Sequence, residues 1–327
     1  MNTLGNHSKL FSTALENFVA TLNHKKPKEL YEPLQYILSL GGKRMRPLLT
    51  YMGNDLFDGN VQDAEPAALA VEIFHNFSLV HDDIMDNAPL RRGKATVHEK
   101  WNNNIAILSG DALLIKAYEE LVKAKAYHVK PLIELFNKTA LEVCEGQQLD
   151  INFETLPEVS TKEYLHMITL KTAVLLGAAL QMGAITANAS VNDAKHLYEF
   201  GKNIGIAFQL QDDILDVFGN PEKFGKQVGG DIISNKKTWL LIEAKKQATG
   251  TTKDALNYWI SLKKFNALEK VNAIKNIYET LQIRKQAEQE MNQFYELALQ
   301  HLSEIKADEI KKQELKTFAQ ALMNREI

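Results

Sequence analysis

Two acidic clusters carry the strongest chemical signal in the chain: Asp82-Asp83-Ile84-Met85-Asp86 and Asp212-Asp213-Ile214-Leu215-Asp216. Each sets carboxylates at i, i+1 and i+4 in a strongly apolar helical stretch. Positions i and i+4 share a helix face, so Asp82 pairs with Asp86 and Asp212 with Asp216. Like charges on one apolar face repel and lose hydration unless a cation offsets both costs. Taken singly, either cluster also reads as a solvated helix end. Together they point to several hard divalent cations. Carboxylate-only ligation suits Mg²⁺, which keeps its waters and binds through a few carboxylates plus substrate phosphates. No histidine or cysteine accompanies the second cluster, which disfavours zinc and a Glu-x-x-His di-iron site.

Basic residues complete the pattern. Gly42-Lys43-Arg44-Met45-Arg46-Pro47 precedes a helix, and Arg91-Arg92-Gly93-Lys94 follows the first cluster. Lys171 stands in the apolar run from Leu170 to Leu180, and Lys226 and Lys236 flank a glycine-rich segment after the second cluster. Metal-bound carboxylates with arginines and lysines describe a polyphosphate clamp, arginine supplying bidentate contacts and lysine a point charge. Any one of these cations alone reads as a solvated surface charge, Lys171 least so.

The elements that must position these groups are helical. The 327 residues hold only 8 prolines, and alternating β-branched runs are scarce. Helices are expected at 10–22, 30–40, 47–56, 66–86, 100–123, 129–150, 161–187, 191–218 and 237–247. Loops are expected at 87–94 and 151–160, and a connection at 219–234. Prolines 47 and 131 suit first helical turns. The charged, amphipathic residues from about 241 to 327 read as outer helices around a motif-bearing core of about 30–240. With no Pro-, Gly- or Ser-rich linker, one all-α domain over 1–327 is the simplest reading. The clusters are then expected to face each other across a bundle core, where such folds place metals.

A net charge of −3 argues against a nucleic-acid surface. The lone cysteine, Cys144, rules out an internal disulfide and is expected to fill the core. No secretory leader and no charge-free apolar stretch of membrane-spanning length is seen, so the expected compartment is the cytoplasm.

The motifs resemble those of the trans-type isoprenyl diphosphate synthases, or polyprenyl synthetases. The matching residues are Gly41 to Pro47, His81 with Asp82 to Asp86, Arg91 to Gly93, and Gly146-Gln147 leading to Asp150. They continue with Lys171-Thr172, Phe208 to Gln211 running into Asp212 to Asp216, Gly225-Lys226, Gly229 to Asp231, and Asn235-Lys236. They stand in the family's order over about 40–240. The resemblance implies an isoprenoid-synthase helical bundle with a central cavity, usually a homodimer. It implies an allylic diphosphate held through three Mg²⁺ by Asp82, Asp86 and Asp212, with Asp83, Asp213 and Asp216 in support. Lys171, Lys226, Lys236 and Arg91 would grip the same diphosphate, with Phe208 beside it. Lys43, Arg46, His75 and Arg92 would hold isopentenyl diphosphate. Thr172, the Lys171 carbonyl and Gln209 would stabilise an allylic cation, which the isopentenyl double bond attacks, joining C4 to C1. The proton then leaves, to the departed diphosphate.

Product length is read backwards from Asp82. At 1.5 Å per residue, Phe77 lies about 7.5 Å and Phe74 about 12 Å below it. An aromatic there shortens the tunnel, although either ring also reads as ordinary core packing. Phe77 with Ser78 resembles enzymes making C20 geranylgeranyl diphosphate. C15 farnesyl diphosphate is the alternative, with Phe74 closing the tunnel early. A terpene cyclase and a non-catalytic partner subunit are rival readings. The first leaves Lys43, Arg46 and Arg92 unexplained, and the second tends to lose aspartates that are intact here. The starter (dimethylallyl, geranyl or farnesyl diphosphate) is not fixed by the sequence.

Overall fold

The computed structural model describes residues 3–219 and 229–324. The all-α expectation is borne out: among the described residues the elements are helices apart from one two-stranded hairpin. The chain divides into two compact units.

The first unit takes the chain up to Thr139, with Leu175–Tyr198 and Ile305–Lys312. It holds α1 (Thr3–Ala20), α2 (Lys28–Ser39), α3 (Met45–Asp55), α4 (Val61–Met85), α5 (Val97–Lys100) and α6 (Asn103–Leu121), and the start of α7 (Ala126–Thr155). α4 is its axis and packs along α3 and α6. Its small residues Ala64, Ala67, Ala68 and Ala70 are fully buried, which lets neighbouring helices close in. Asn60 caps its start by accepting a hydrogen bond from the Gln62 amide at 3.1 Å.

Between α4 and α5 the expected loop contains a hairpin, β1 (Leu90–Arg91) paired antiparallel with β2 (Lys94–Ala95). Arg92 and Gly93 turn it with φ of 53° and 73°. Two successive left-handed residues match the right-handed twist of a hairpin.

The second unit takes Ala140–Val174, Glu199–Glu304 and the residues from Gln313 on. It holds the rest of α7, α8 (Thr161–Ile168), a π-helical turn (Thr169–Ala173) and the first residue of α9 (Val174–Thr186), the remainder of which belongs to the first unit, and most of α10 (Val191–Phe218). Then come α11 (Gly230–Ser234), α12 (Trp239–Gln247), α13 (Gly250–Ser261), α14 (Ala267–Thr280) and α15 (Ile283–Glu304), followed by α16 (Glu309–Met323). Ser160 and Glu163 start α8 with a reciprocal capping box.

The differences from expectation have local causes. α3, α4 and α7 begin before Pro47, Pro66 and Pro131; Pro47 keeps to the first turn of α3 as expected, whereas Pro66 and Pro131 sit inside their helices. The expected connection 219–234 contains α11. Cys144 is exposed rather than in the core; on α7 the neighbouring Val143 and Gly146 take the buried positions instead. Residues Thr161–Thr186 form a run long and apolar enough to cross a membrane by composition, but 72% of its most apolar window is buried inside the protein.

Candidate active site

The first cluster closes α4. Asn87, in the left-handed conformation with φ 49°, ends the helix. The Ala88 amide returns to the Asp83 carbonyl at 2.9 Å and the Asn87 amide to Ile84 at 3.3 Å, a Schellman closure. The three aspartates thus crowd the negative end of the helix dipole, and α4 has no basic residue in its last turn. They do not act alike. Asp83 is 1% exposed and held by Arg91, whose Nε donates at 2.8 Å and Nη2 at 2.6 Å. Asp82 is half-buried and Asp86 exposed. Asp83, expected to support a metal, and Arg91, expected to grip diphosphate, are engaged with each other, and their pairing ties the hairpin to α4.

That hairpin delivers Arg92. Its guanidinium donates to the Gly41 carbonyl and lies against Gly42, where an added Cβ would stand 2.6 Å from Arg92 Cζ. Gly42 also has φ +125°, a conformation that other residues resist. Arg44, at the start of α3, donates to the buried Glu72 of α4. Arg46 Nη1 lies 3.1 Å from His75 Nε2, and Lys43 is exposed just before α3. Four arginines therefore meet in this unit with two buried carboxylates, Glu72 and Asp83, among their partners. Burial, then repulsion from Arg92, lowers Arg46 to about 10 against the pull of Glu72. Burial and Arg44 likewise lower Arg92. Such a nest has surplus positive charge and suits an oxyanion.

His75 lies in the same nest. Burial, then Arg46, Arg92, Arg91 and Arg44, hold its pKa well below the ordinary value, so it stays neutral. The unfolded chain then takes up this proton first as pH falls. The stability His75 contributes is present above about pH 6.5 and lost as pH drops from there through the folded value. The melting temperature should therefore fall between about pH 7 and pH 5, and a His75→Gln variant should show a flatter slope.

The second cluster closes α10, again with no basic residue in the last turn. Asp213 is 4% exposed and accepts from the Tyr164 hydroxyl and, at 3.3 Å, from Gln209 Nε2. Burial and the charge of Asp231 push its carboxyl up, against those hydrogen bonds and Lys236. Asp212 and Asp216 are half-buried. Asp216 Oδ2 accepts the Asp231 amide at 3.0 Å, docking the start of α11. Asp213, like Asp83, is the inward member that locks its helix.

Lys171 and Thr172 sit in the π-helical turn, a feature concentrated at functional sites. Lys171 Nζ lies 2.6 Å from Asp150 Oδ2, and Lys236 Nζ lies 3.9 Å from the same oxygen. Burial pushes Asp150 up, but the charges of Lys236 and Lys171 more than offset it and leave it below its ordinary value. Thr172 donates to Gln209 Oε1 at 3.4 Å. Thr172, Gln209, Asp213 and Tyr164 thus form one hydrogen-bonded chain. Glycines admit the turn between its neighbours. A Cβ on Gly146 of α7 would stand 2.7 Å from Lys171 Cα, and one on Gly205 of α10 would stand 2.6 Å from Ala173 Cα.

Phe208 is buried on α10. Phe77 and Ser78 are half-buried on α4, and Ser78 donates to the His75 carbonyl at 2.8 Å. Phe74 is fully buried, 5.4 Å from Phe77 and 5.2 Å edge-on from Phe136. Lys226 lies outside the described residues.

Sequence reasoning gave no role to Glu72, Asp150, Tyr164 or Asp231. A lone glutamate in the apolar run Val71-Glu72-Ile73-Phe74 is the one signal that pointed at a buried cation's partner.

Among the described residues no three Asp, Glu, His or Cys side chains form a ready-made metal cage. Mg²⁺ takes few protein ligands and completes its shell with water and phosphate. All-oxygen donors at two helix ends without basic residues fit such an ion.

Residues 27–281 match the model of the polyprenyl synthetase family. The chain is 44% identical over 221 residues to a geranylgeranyl diphosphate synthase of Methanosarcina mazei, covering 67% of this chain and 68% of that one. It is 43% identical to a geranylgeranyl diphosphate synthase of Saccharolobus solfataricus, covering 70% of each. A crystal structure of a geranylgeranyl pyrophosphate synthase superposes with a TM-score of 0.94 at 44% identity over 100% of both chains. The chain belongs to the polyprenyl synthetase family, whose members are Mg²⁺-dependent prenyltransferases that use isopentenyl diphosphate and allylic diphosphates.

Proposed function

We propose that this enzyme is a short-chain isoprenyl diphosphate synthase that makes geranylgeranyl diphosphate. The observation that carries the reading is the pair of aspartate clusters, each ending a long helix without a compensating cation. Asp82 and Asp86, and Asp212 and Asp216, would hold the magnesium ions, three of them, that bind the allylic diphosphate. When bound, these ions neutralise the charge that grows on the leaving diphosphate. Asp83 and Asp213 serve by fixing their helices.

Lys171 and Lys236 bind the allylic diphosphate as point charges, and Lys226 joins them. Lys43, Arg46 and Arg92 bind the isopentenyl diphosphate, with His75 holding Arg46. As the allylic C–O bond breaks, the Thr172 hydroxyl oxygen and the Gln209 carbonyl oxygen stabilise the allylic cation. The apolar wall of α4 keeps water away from it. The isopentenyl C3–C4 double bond attacks C1, and the new C–C bond leaves a tertiary cation. Loss of a proton to the released diphosphate restores a double bond.

Phe77 supports the short product. It lines α4 below Asp82, backed by Phe74 and Phe136. The test is chromatography of products from dimethylallyl, geranyl and farnesyl diphosphate. C20 product from all three is expected; accumulation of C15 would make the enzyme a farnesyl diphosphate synthase. Phe77→Ala should move the product beyond C20 by at least one isoprene unit. We further propose a homodimer formed by one polyprenyl synthetase domain per chain. α6 leaves Ile107, Leu108 and Ile115 exposed, an apolar face suited to a second copy.

A further inference from the structure

α14 turns one face toward α11: Lys270, Ile274 and Tyr278, at i, i+4 and i+8, all buried. Ile274 and Tyr278 suit that face. Lys270 is fully buried, a rare state for lysine that is destabilising unless its donors are matched. An ammonium has three N–H donors, and Lys270 has three partners. Asn235 Oδ1 lies at 2.7 Å, the Ile233 carbonyl at 3.3 Å, and the Phe265 ring centroid at 4.2 Å.

Two of those partners belong to the last turn of α11 and its cap. Asn235 is left-handed, with φ 56°, and its side-chain Nδ2 donates to the Ile260 carbonyl at 3.1 Å. The next residue is Lys236. Its backbone amide returns to the Asp231 carbonyl at 2.9 Å, and its ammonium reaches Asp150. At the other end of α11, Asp231 docks on Asp216. A methionine would fill the place of Lys270 without the penalty of burying a charge. The buried charge is therefore explained by what it holds.

We propose that Lys270 is a positioning residue for Lys236. By fixing Asn235 and the end of α11, it sets the direction in which the Lys236 ammonium enters the diphosphate site. Lys270 itself touches no substrate. The inference rests on the reading of Lys236 as a ligand of the allylic diphosphate.

The test is a double-mutant cycle of Lys270→Met and Lys236→Met. Condensation is followed over a range of allylic diphosphate at saturating isopentenyl diphosphate, and the reverse. Lys270→Met should lower kcat/KM for the allylic substrate about tenfold and leave KM for isopentenyl diphosphate within about twofold. In the Lys236→Met background the same change should have less than about twofold effect, because its target is gone. Asn235→Ala should reproduce the single-variant result, and it carries the test if Lys270→Met does not fold. Equal losses with and without Lys236, or a lower melting temperature with unchanged allylic kinetics, would overturn the proposal. Wild-type protein without Mg²⁺-dependent condensation would bring down the functional reading and the proposal together.

Discussion

Asp82→Asn is expected to lower kcat/KM for the allylic diphosphate by about 10³-fold, or about 4 kcal/mol of transition-state stabilisation. The same change should leave the melting temperature of the metal-free protein unchanged or slightly higher. Both effects follow from position. Asp82 is one of three carboxylates in the last turn of α4, at the negative end of the helix dipole. Removing a charge there relieves repulsion worth about 0.3–1 kcal/mol. Asp83, one residue on, should behave in the opposite way. It is buried and bidentate to Arg91, and Asp83→Ala leaves that guanidinium without its partner, at a cost of about 3–5 kcal/mol in stability. Product formation and thermal denaturation on the two variants separate the roles. Asp212 and Asp213 should divide in the same way. If Asp82→Ala combined with Asp212→Ala leaves turnover unchanged, the enzymatic assignment fails.

Gly146→Ala is the second large effect. The new methyl would meet Lys171 Cα and the Leu170 carbonyl carbon, each at 2.7 Å. Both atoms are backbone and cannot rotate aside. Either α7 retreats or the π-helical turn moves. Overpacking of this kind costs about 1–3 kcal/mol. The kinetic loss should be larger than the stability loss suggests, about 10²-fold in kcat, because Lys171 and Thr172 shift together by about an ångström. Gly205→Ala presses on the same turn from α10 and should give the same pattern. Cys144→Ala, two residues from Gly146 but exposed, should change neither quantity. Steady-state kinetics with thermal denaturation on the three variants tests this.

The aspartate clusters were legible because charges at i, i+1 and i+4 contradict the apolar helix around them. The division of labour inside each cluster was not. Nothing in the letters Asp-Asp says which of two neighbours turns inward, since the answer depends on Arg91 and Tyr164, which are distant in sequence. Helix existence was legible from periodicity, whereas the starts of α4 and α7 were masked by prolines that lie inside the helix. The π-helical turn left no trace. Thr169-Leu170-Lys171-Thr172-Ala173 is an ordinary helical string, and the close approach of Gly146 and Gly205 to this turn involves residues distant in sequence. Lys270 falls in the charged, amphipathic stretch that reads as outer helices, and its burial depends on α11, in a stretch that the sequence presents as a connection.

The arginine nest has a bearing on how the enzyme lives between turnovers. Four arginines packed around one neutral imidazole, with Glu72 and Asp83 as buried counter-charges, leave this unit with a surplus of positive charge. A bound oxyanion that offsets this charge should stabilise the unit, so diphosphate is expected to raise the melting temperature. Enzyme without substrate is then expected to resist heat and protease less well than enzyme supplied with it.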